Sequence, residues 1–281
     1  MVLSTPAYHP QHHQPTSERQ AVPVRRSRSG VSRVAMEAAV VTFAALLYFF
    51  VRGLMETRVS LAFDNADRII SIERALGIFH EPWLQQQVLD IGWLATLANR
   101  VYIFGHWPVI AATLAWLIWK HREHFATYRS ALLISGAIGL VFFVLFPVAP
   151  PRFLADHGFI DTVTLHTNAY RVLQPPAFTN QYAAVPSLHV GWNLLMGIAI
   201  VRHSSNRWAK GFGWTMPLVM WLATVVTANH YIVDGIAGSL VALAGLGLAI
   251  LFQRRRATVA AQRVHPTIRS LGQGWAQRDA A

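Results

Sequence analysis

Apolar residues in this chain gather into six long blocks, at 34–51, 101–119, 130–149, 184–201, 211–228 and 235–252. Each is close to the ~20 residues that cross ~30 Å of hydrocarbon as a helix. Backbone N–H and C=O groups find no water inside a bilayer, so each block is expected to pair them internally as an α-helix. The second block begins somewhere between Ile91 and Val101, and Gly and Ala are frequent in the last, which suits close helix packing. Residues 61–90 read differently. Ile69, Ile70, Ile72, Leu76, Phe79, Trp83, Leu84 and Val88 are interleaved with Asp67, Arg68, Glu73, Arg74 and Glu81. That spacing predicts amphipathic helices in the membrane surface, broken in two near Gly77 and Pro82. The expected fold is all-α: a six-transmembrane helix bundle with amphipathic interfacial helices between spans 1 and 2. No internal repeat is visible.

Composition narrows the class. Apolar residues make up 53% of the chain and charged ones 13%, about half the ~25% usual in soluble domains. With no cysteine, a disulfide framework, thiolate chemistry and Cys-ligated metals are excluded. Residues 1–33 are polar and rich in Pro, Gln, His and Arg, and read as a disordered cytoplasmic tail with no signal-peptide core. His9, His12 and His13 belong to that solvated tail. Residues 253–281 read as a second, basic tail. The net charge of +11 suggests nucleic acid until it is located. Seventeen of the 24 Lys and Arg fall in the two ends and the 120–129 and 202–210 connections, which share one side of a six-span protein. The positive-inside rule puts both termini in the cytoplasm, in the cytoplasmic (plasma) membrane. No base-reading motif accompanies the charge, so no nucleic-acid partner is expected.

That topology gathers polar residues at the outer boundary. The stretches are Phe146-Pro-Val-Ala-Pro-Pro-Arg152-Phe153, Val185-Pro-Ser187-Leu-His189-Val190, and Thr227-Ala-Asn229-His230-Tyr231-Ile-Val-Asp234-Gly235. His230 and Asp234 are four apart and share a helix face, so the carboxylate can fix one ring nitrogen and sharpen the other as a nucleophile. Ser187 and His189 lie at a helix start, where free amides and the dipole favour phosphate. Arg152 offers a permanently charged fork to phosphate oxygens. Each has a plainer role available: Asp234 and Ser187 as caps, His230 as an interfacial anchor, Arg152 as a snorkelling cation. Together, polar groups at span ends point to phosphoryl transfer without a required metal or cofactor.

The Pro-Ser-Leu-His motif, followed 41 residues later by His-Tyr-Ile-Val-Asp, resembles the type 2 phosphatidic acid phosphatase superfamily over roughly residues 35–252. The likeness is greater to the branch that includes inositol phosphorylceramide synthases, where Ser-Leu-His replaces the phosphatases' Ser-Gly-His. The resemblance implies a catalytic domain over 34–252. In it His230 becomes a phosphohistidine, Asp234 orients it, and His189 protonates the leaving oxygen and then deprotonates the acceptor. Arg152 matches the arginine of the first motif. Two positions depart from the phosphatases. Leu145 stands where they have a lysine seven residues before the arginine, and Ala223-Thr224 where they have Ser-Arg. These departures point toward the synthase-like branch. Replacement contacts to the headgroup or acceptor are expected from the second span, at Arg100, Tyr102 and His106 beside Asn99, and from Asn229 next to the nucleophile; Tyr231 reads as a belt residue.

The expected activity is therefore a metal-independent integral-membrane lipid phosphatase or phosphotransferase at the outer face. Its partners would be a phospholipid or lipid phosphate, membrane lipids, and water, inositol or another alcohol as acceptor. The alternative is a lipid-phosphate binding or transport protein without turnover, although no paired broken helices in two related halves are visible. A vanadate haloperoxidase shares the motif chemistry, but its relatives are soluble.

Overall fold

A computed structural model describes residues 58–162 and 180–278, together with six isolated helical positions between 39 and 50; side chains are described to Val259. The tail at 1–33, the first apolar block as a whole and residues 163–179 lie outside the described residues. Among the described residues the chain is all-helical, with one isolated bridge between Val148 and Ala183. The helices are α1 (Val59–Ala75), α2 (Glu81–Leu89), α3 (Gly92–Phe104), α4 (Trp107–Lys120), α5 (Arg122–Leu145), α6 (Leu188–His203), α7 (Arg207–Val226) and α8 (Ile232–Arg278).

Two of them, α5 and the Ile232–Val259 part of α8, are long and apolar enough to cross a membrane, with mean hydropathies of 1.9 and 2.2. Helices α3 and α4 form a third candidate only as a pair bent by 46°. The single second span expected from the pattern is thus broken, at Gly105 and His106, with Pro108 in the first turn of α4. Large apolar side chains are exposed along these helices, among them Trp119, Leu145 and Leu240, and along α7 at Leu218. Such a surface suits hydrocarbon rather than water, and this is a membrane protein.

Helices α5, α6 and α8 pack on one another around Tyr128, Ala131, Leu195, Met196, Ala199, Ala242 and Leu246, and α7 packs against α6 and α3. The crossing of α6 and α8 is made by glycine. A Cβ on Gly191 would lie 2.3 Å from the Gly238 carbonyl oxygen, and one on Gly238 would lie 2.0 Å from that of Ser187. Small residues let the backbones approach this closely. Helix α8 runs on beyond the last apolar block, through Arg254–Arg256, to Arg278.

The 61–90 segment divides as expected: α1 ends before Gly77, whose φ of 70° favours glycine, and Pro82 lies in the first turn of α2. Its packing differs from a simple surface anchor. Ala62, Ala66, Ile69 and Ile70 of α1 share a core with Val148, Ala149, Leu154, Phe159, Ala184, Ala228 and Tyr231. Glu73 and Glu81, expected on the polar face, are both 0% exposed. The segment is a cap over the three loops that carry the motif residues.

Candidate active site

Those three loops lie at one end of the bundle, after α5, before α6 and between α7 and α8, and backbone bonds join them. Val148 N–H donates to the Tyr182 carbonyl at 3.0 Å, and Ala184 N–H to that of Val148 at 3.2 Å. Arg152 N–H donates to the Ala228 carbonyl at 2.8 Å, and Ser187 N–H to that of Asp234 at 3.1 Å. The cap adds Asn65 Nδ2 on the Pro147 carbonyl at 2.9 Å. Ala228 has a φ of 54°, a conformation most non-glycine residues avoid. This turn lets the Asn229 and His230 amides both return to the Thr224 carbonyl, at 3.0 and 3.1 Å.

His230 is 5% exposed, in the connection between α7 and α8. Its Nδ1 lies 2.8 Å from the Ala184 carbonyl oxygen and 3.3 Å from Asp234 Oδ2. A carbonyl only accepts, so Nδ1 carries the proton and Nε2 keeps the lone pair. Burial lowers the proton affinity of the ring, against the Ala184 bond and with the charge of Arg152, to a pKa of about 4. A neutral imidazole with its outer nitrogen free is the form a nucleophile needs. Asp234 Oδ2 also accepts the Tyr231 N–H at 2.9 Å, so it caps α8 and orients His230 together. The nearer orienting partner, the Ala184 carbonyl, is backbone and leaves no signature in the sequence.

His189 comes in from the first turn of α6. Its ring centroid is 5.6 Å from that of His230, and its Nε2 is buried with no hydrogen-bond partner. Ser187 is the N-cap of α6, its Oγ accepting from Val190 N–H at 3.5 Å. Arg152 follows the first loop in a 3₁₀ turn (Pro151–Phe153) and donates through Nη1 to Asn229 Oδ1. Asn229 is itself fixed by Nδ2 bonds to the Thr227 carbonyl at 3.2 Å and to Thr227 Oγ1 at 2.8 Å. His230, His189, Asp234, Arg152, Ser187 and Asn229 are thus brought together.

The residues named on the second span separate. Tyr102 stacks on His189 with centroids 4.8 Å apart, and the His106 ring is 4.3 Å from that of His189. The break between α3 and α4 turns His106 inward, onto Asn193 Nδ2 at 3.3 Å and parallel to Trp192. Both residues meet the second histidine. Arg100 is exposed while Asn99 and Tyr102 are buried, so it does not join them. Asn99 pairs with Thr162, its Oδ1 accepting from Oγ1 at 3.4 Å. Tyr231 is no belt residue: it is 0% exposed and donates its hydroxyl to the Ala149 carbonyl at 3.0 Å. The two departures in motif sequence have plain surroundings. Leu145 is 72% exposed at the end of α5, and Thr224 is buried with its hydroxyl on the Trp221 carbonyl at 2.7 Å.

Residues 67–248 match the PAP2 superfamily, and the chain belongs to that superfamily. Among curated proteins it is similar to a phosphoinositol dihydroceramide synthase of Bacteroides thetaiotaomicron, 22% identical over 192 residues, covering 56% of this chain and 61% of the relative. The chain therefore spans about three fifths of the length of that curated relative. No solved structure matches it.

Proposed function

We propose that this protein is a membrane lipid phosphotransferase that works through a covalent phosphohistidine on His230. The observation that carries the reading is the His230–His189 pair, 5.6 Å between centroids, with the arginine held beside it by Asn229. His230 Nε2 attacks the lipid phosphorus, forming the N–P bond as the P–O bond to the leaving group breaks. Arg152 binds the non-bridging oxygens, and His189 passes its proton to the leaving oxygen. In the second half His189 takes the proton of an acceptor hydroxyl, whose oxygen attacks phosphorus and frees His230. Both halves use His189 as the proton carrier and require no metal.

The acceptor is an alcohol such as inositol or a lipid hydroxyl, with water as the competing route. Supporting this, the lysine and arginine that phosphatases of the superfamily add to Arg152 are replaced by Leu145 and Thr224, so the pocket favours a phosphate bearing less charge. The printed name of the Bacteroides relative, a synthase, points the same way. The reading includes six spans, both termini in the cytoplasm and the site at the outer face. It is supported by the ends of the helices: Lys120, Arg122, Arg202, Arg207 and Lys210 fall at the end opposite the motif loops. The chain has no cysteine, so single cysteines placed at 160 and 205 report sidedness with an impermeant maleimide.

The deciding experiment gives purified protein headgroup-labelled phospholipids with and without candidate alcohols and identifies the products. Exchanged lipid, a base-stable and acid-labile phosphoprotein, and inhibition by vanadate are expected. Tight lipid binding with neither product nor phosphoprotein would overturn the proposal in favour of a binding or transport protein.

A further inference from the structure

The first turn of α8 carries Asp234 and follows directly on His230, yet its amides are not left to water. Tyr231 N–H donates to Asp234 Oδ2 at 2.9 Å, Ile232 N–H to Glu81 Oε1 at 3.0 Å, and Val233 N–H to Glu73 Oε1 at 2.9 Å. Two of these acceptors come from the cap, from α2 and α1, far earlier in the chain. Both are 0% exposed, and each has its Oε2 buried with no donor facing it. Their inner oxygens bond the adjacent amides of Ile232 and Val233, which sets the two carboxyls side by side. Two ionised carboxylates in that position would leave both outer oxygens unsatisfied and repel, whereas one proton between them satisfies both. The remaining negative charge faces the positive end of α8.

We infer that Glu73 and Glu81 form a proton-sharing carboxyl pair that clamps the first turn of α8 and so holds His230 and Asp234 in register. They are positioning residues, touching neither phosphate nor acceptor. Among the described residues, the titratable groups facing Glu73 are Glu81 from α2, Asp234 from α8 and Tyr231 just before it; Arg74, its neighbour, instead lies over the Phe79 ring at 4.9 Å. Burial, reinforced by Glu81, pushes the Glu73 carboxyl up to about 9 against the Val233 bond, so Glu73 keeps its proton at neutral pH. Glutamine preserves both functions: its carbonyl accepts from the Val233 N–H and its amide donates to Glu81. Alanine preserves neither. The role in turnover rests on the phosphotransferase reading; the clamp itself does not.

The test uses the full chain in detergent micelles. Amide hydrogen exchange in the segment spanning 228–236 is expected to accelerate at least tenfold in Glu73→Ala and to stay near wild type in Glu73→Gln. Unchanged exchange in Glu73→Ala overturns the clamp whether or not the protein turns over lipid; should that variant fail to fold, Glu81→Ala gives the same measurement from α2. With a lipid substrate, kcat falls at least tenfold in Glu73→Ala with KM little changed, and Glu73→Gln restores most of it. Wild-type kcat declines above about pH 9, and Glu73→Gln lacks that decline. Superimposable alkaline limbs in wild type and Glu73→Gln would overturn the shared proton.

Discussion

Gly238 is the position at which one added carbon tests the whole site. It lies one turn beyond Asp234 on α8, and a Cβ there would sit 2.0 Å from the Ser187 carbonyl oxygen and 2.7 Å from its carbon. These are backbone atoms of the α6 N-cap and cannot rotate away. Restoring an ordinary contact of 3.4 Å requires the two helices to part by roughly 1.4 Å. Ser187 precedes His189 by two residues and donates its N–H to the Asp234 carbonyl at 3.1 Å. The separation therefore breaks that bond and carries His189 away from His230. A misplacement of about 1 Å at reacting groups costs roughly 10²-fold in rate. Gly238→Ala should lower kcat by about 100-fold, with a stability loss of about 1–3 kcal/mol from overpacking. Turnover of labelled lipid by purified protein measures the first, and a thermal melt the second. Gly247→Ala, on the same helix with nothing within 4 Å of its new carbon, should match wild type in both. A folded Gly238→Ala protein turning over within twofold of wild type would refute the crossing as the device that sets the distance between the histidines.

Three further outcomes follow from the site. His230→Ala and His189→Ala should each reduce turnover by about 10⁴-fold or more while the protein still folds, and retained activity in the first removes its assignment as nucleophile. Asn229→Ala frees the Arg152 fork; losing a bond to a charged group is worth about 1.5–3 kcal/mol, so kcat/KM should fall roughly 10- to 100-fold, and an unaltered value would mean Arg152 is positioned without it. The pKa of His230 is depressed from 6.5 to about 4 on folding, so between those values the unfolded chain binds the extra proton. The contribution of His230 to stability is full above pH 6.5 and is lost as pH falls toward 4, and His230→Gln should reduce the slope in melts recorded from pH 8 to 4.5.

The sequence by itself determined the helical class and named the residues whose chemistry is proposed. Long apolar blocks leave a chain no economical structure in lipid but helices, and the 61–90 periodicity divided at Gly77 and Pro82 as the structure divides it. The two histidine motifs named His189, His230, Asp234 and Arg152 because those side chains bear the reactive groups, and Ser187 because a hydroxyl before a helix caps it. Local pattern cannot report which charge finds a buried partner far along the chain. Glu73 and Glu81 read as the polar face of an amphipathic helix, and they become buried only because the α8 amides meet them there. Nor can it report a bend: α3 and α4 read as one span until the break at Gly105 turns His106 against His189 and leaves Arg100 outside. The Ala184 carbonyl that sets the His230 tautomer belongs to every residue type alike, so only the packing of three loops beneath the cap decides that it, and not Asp234 alone, holds the ring.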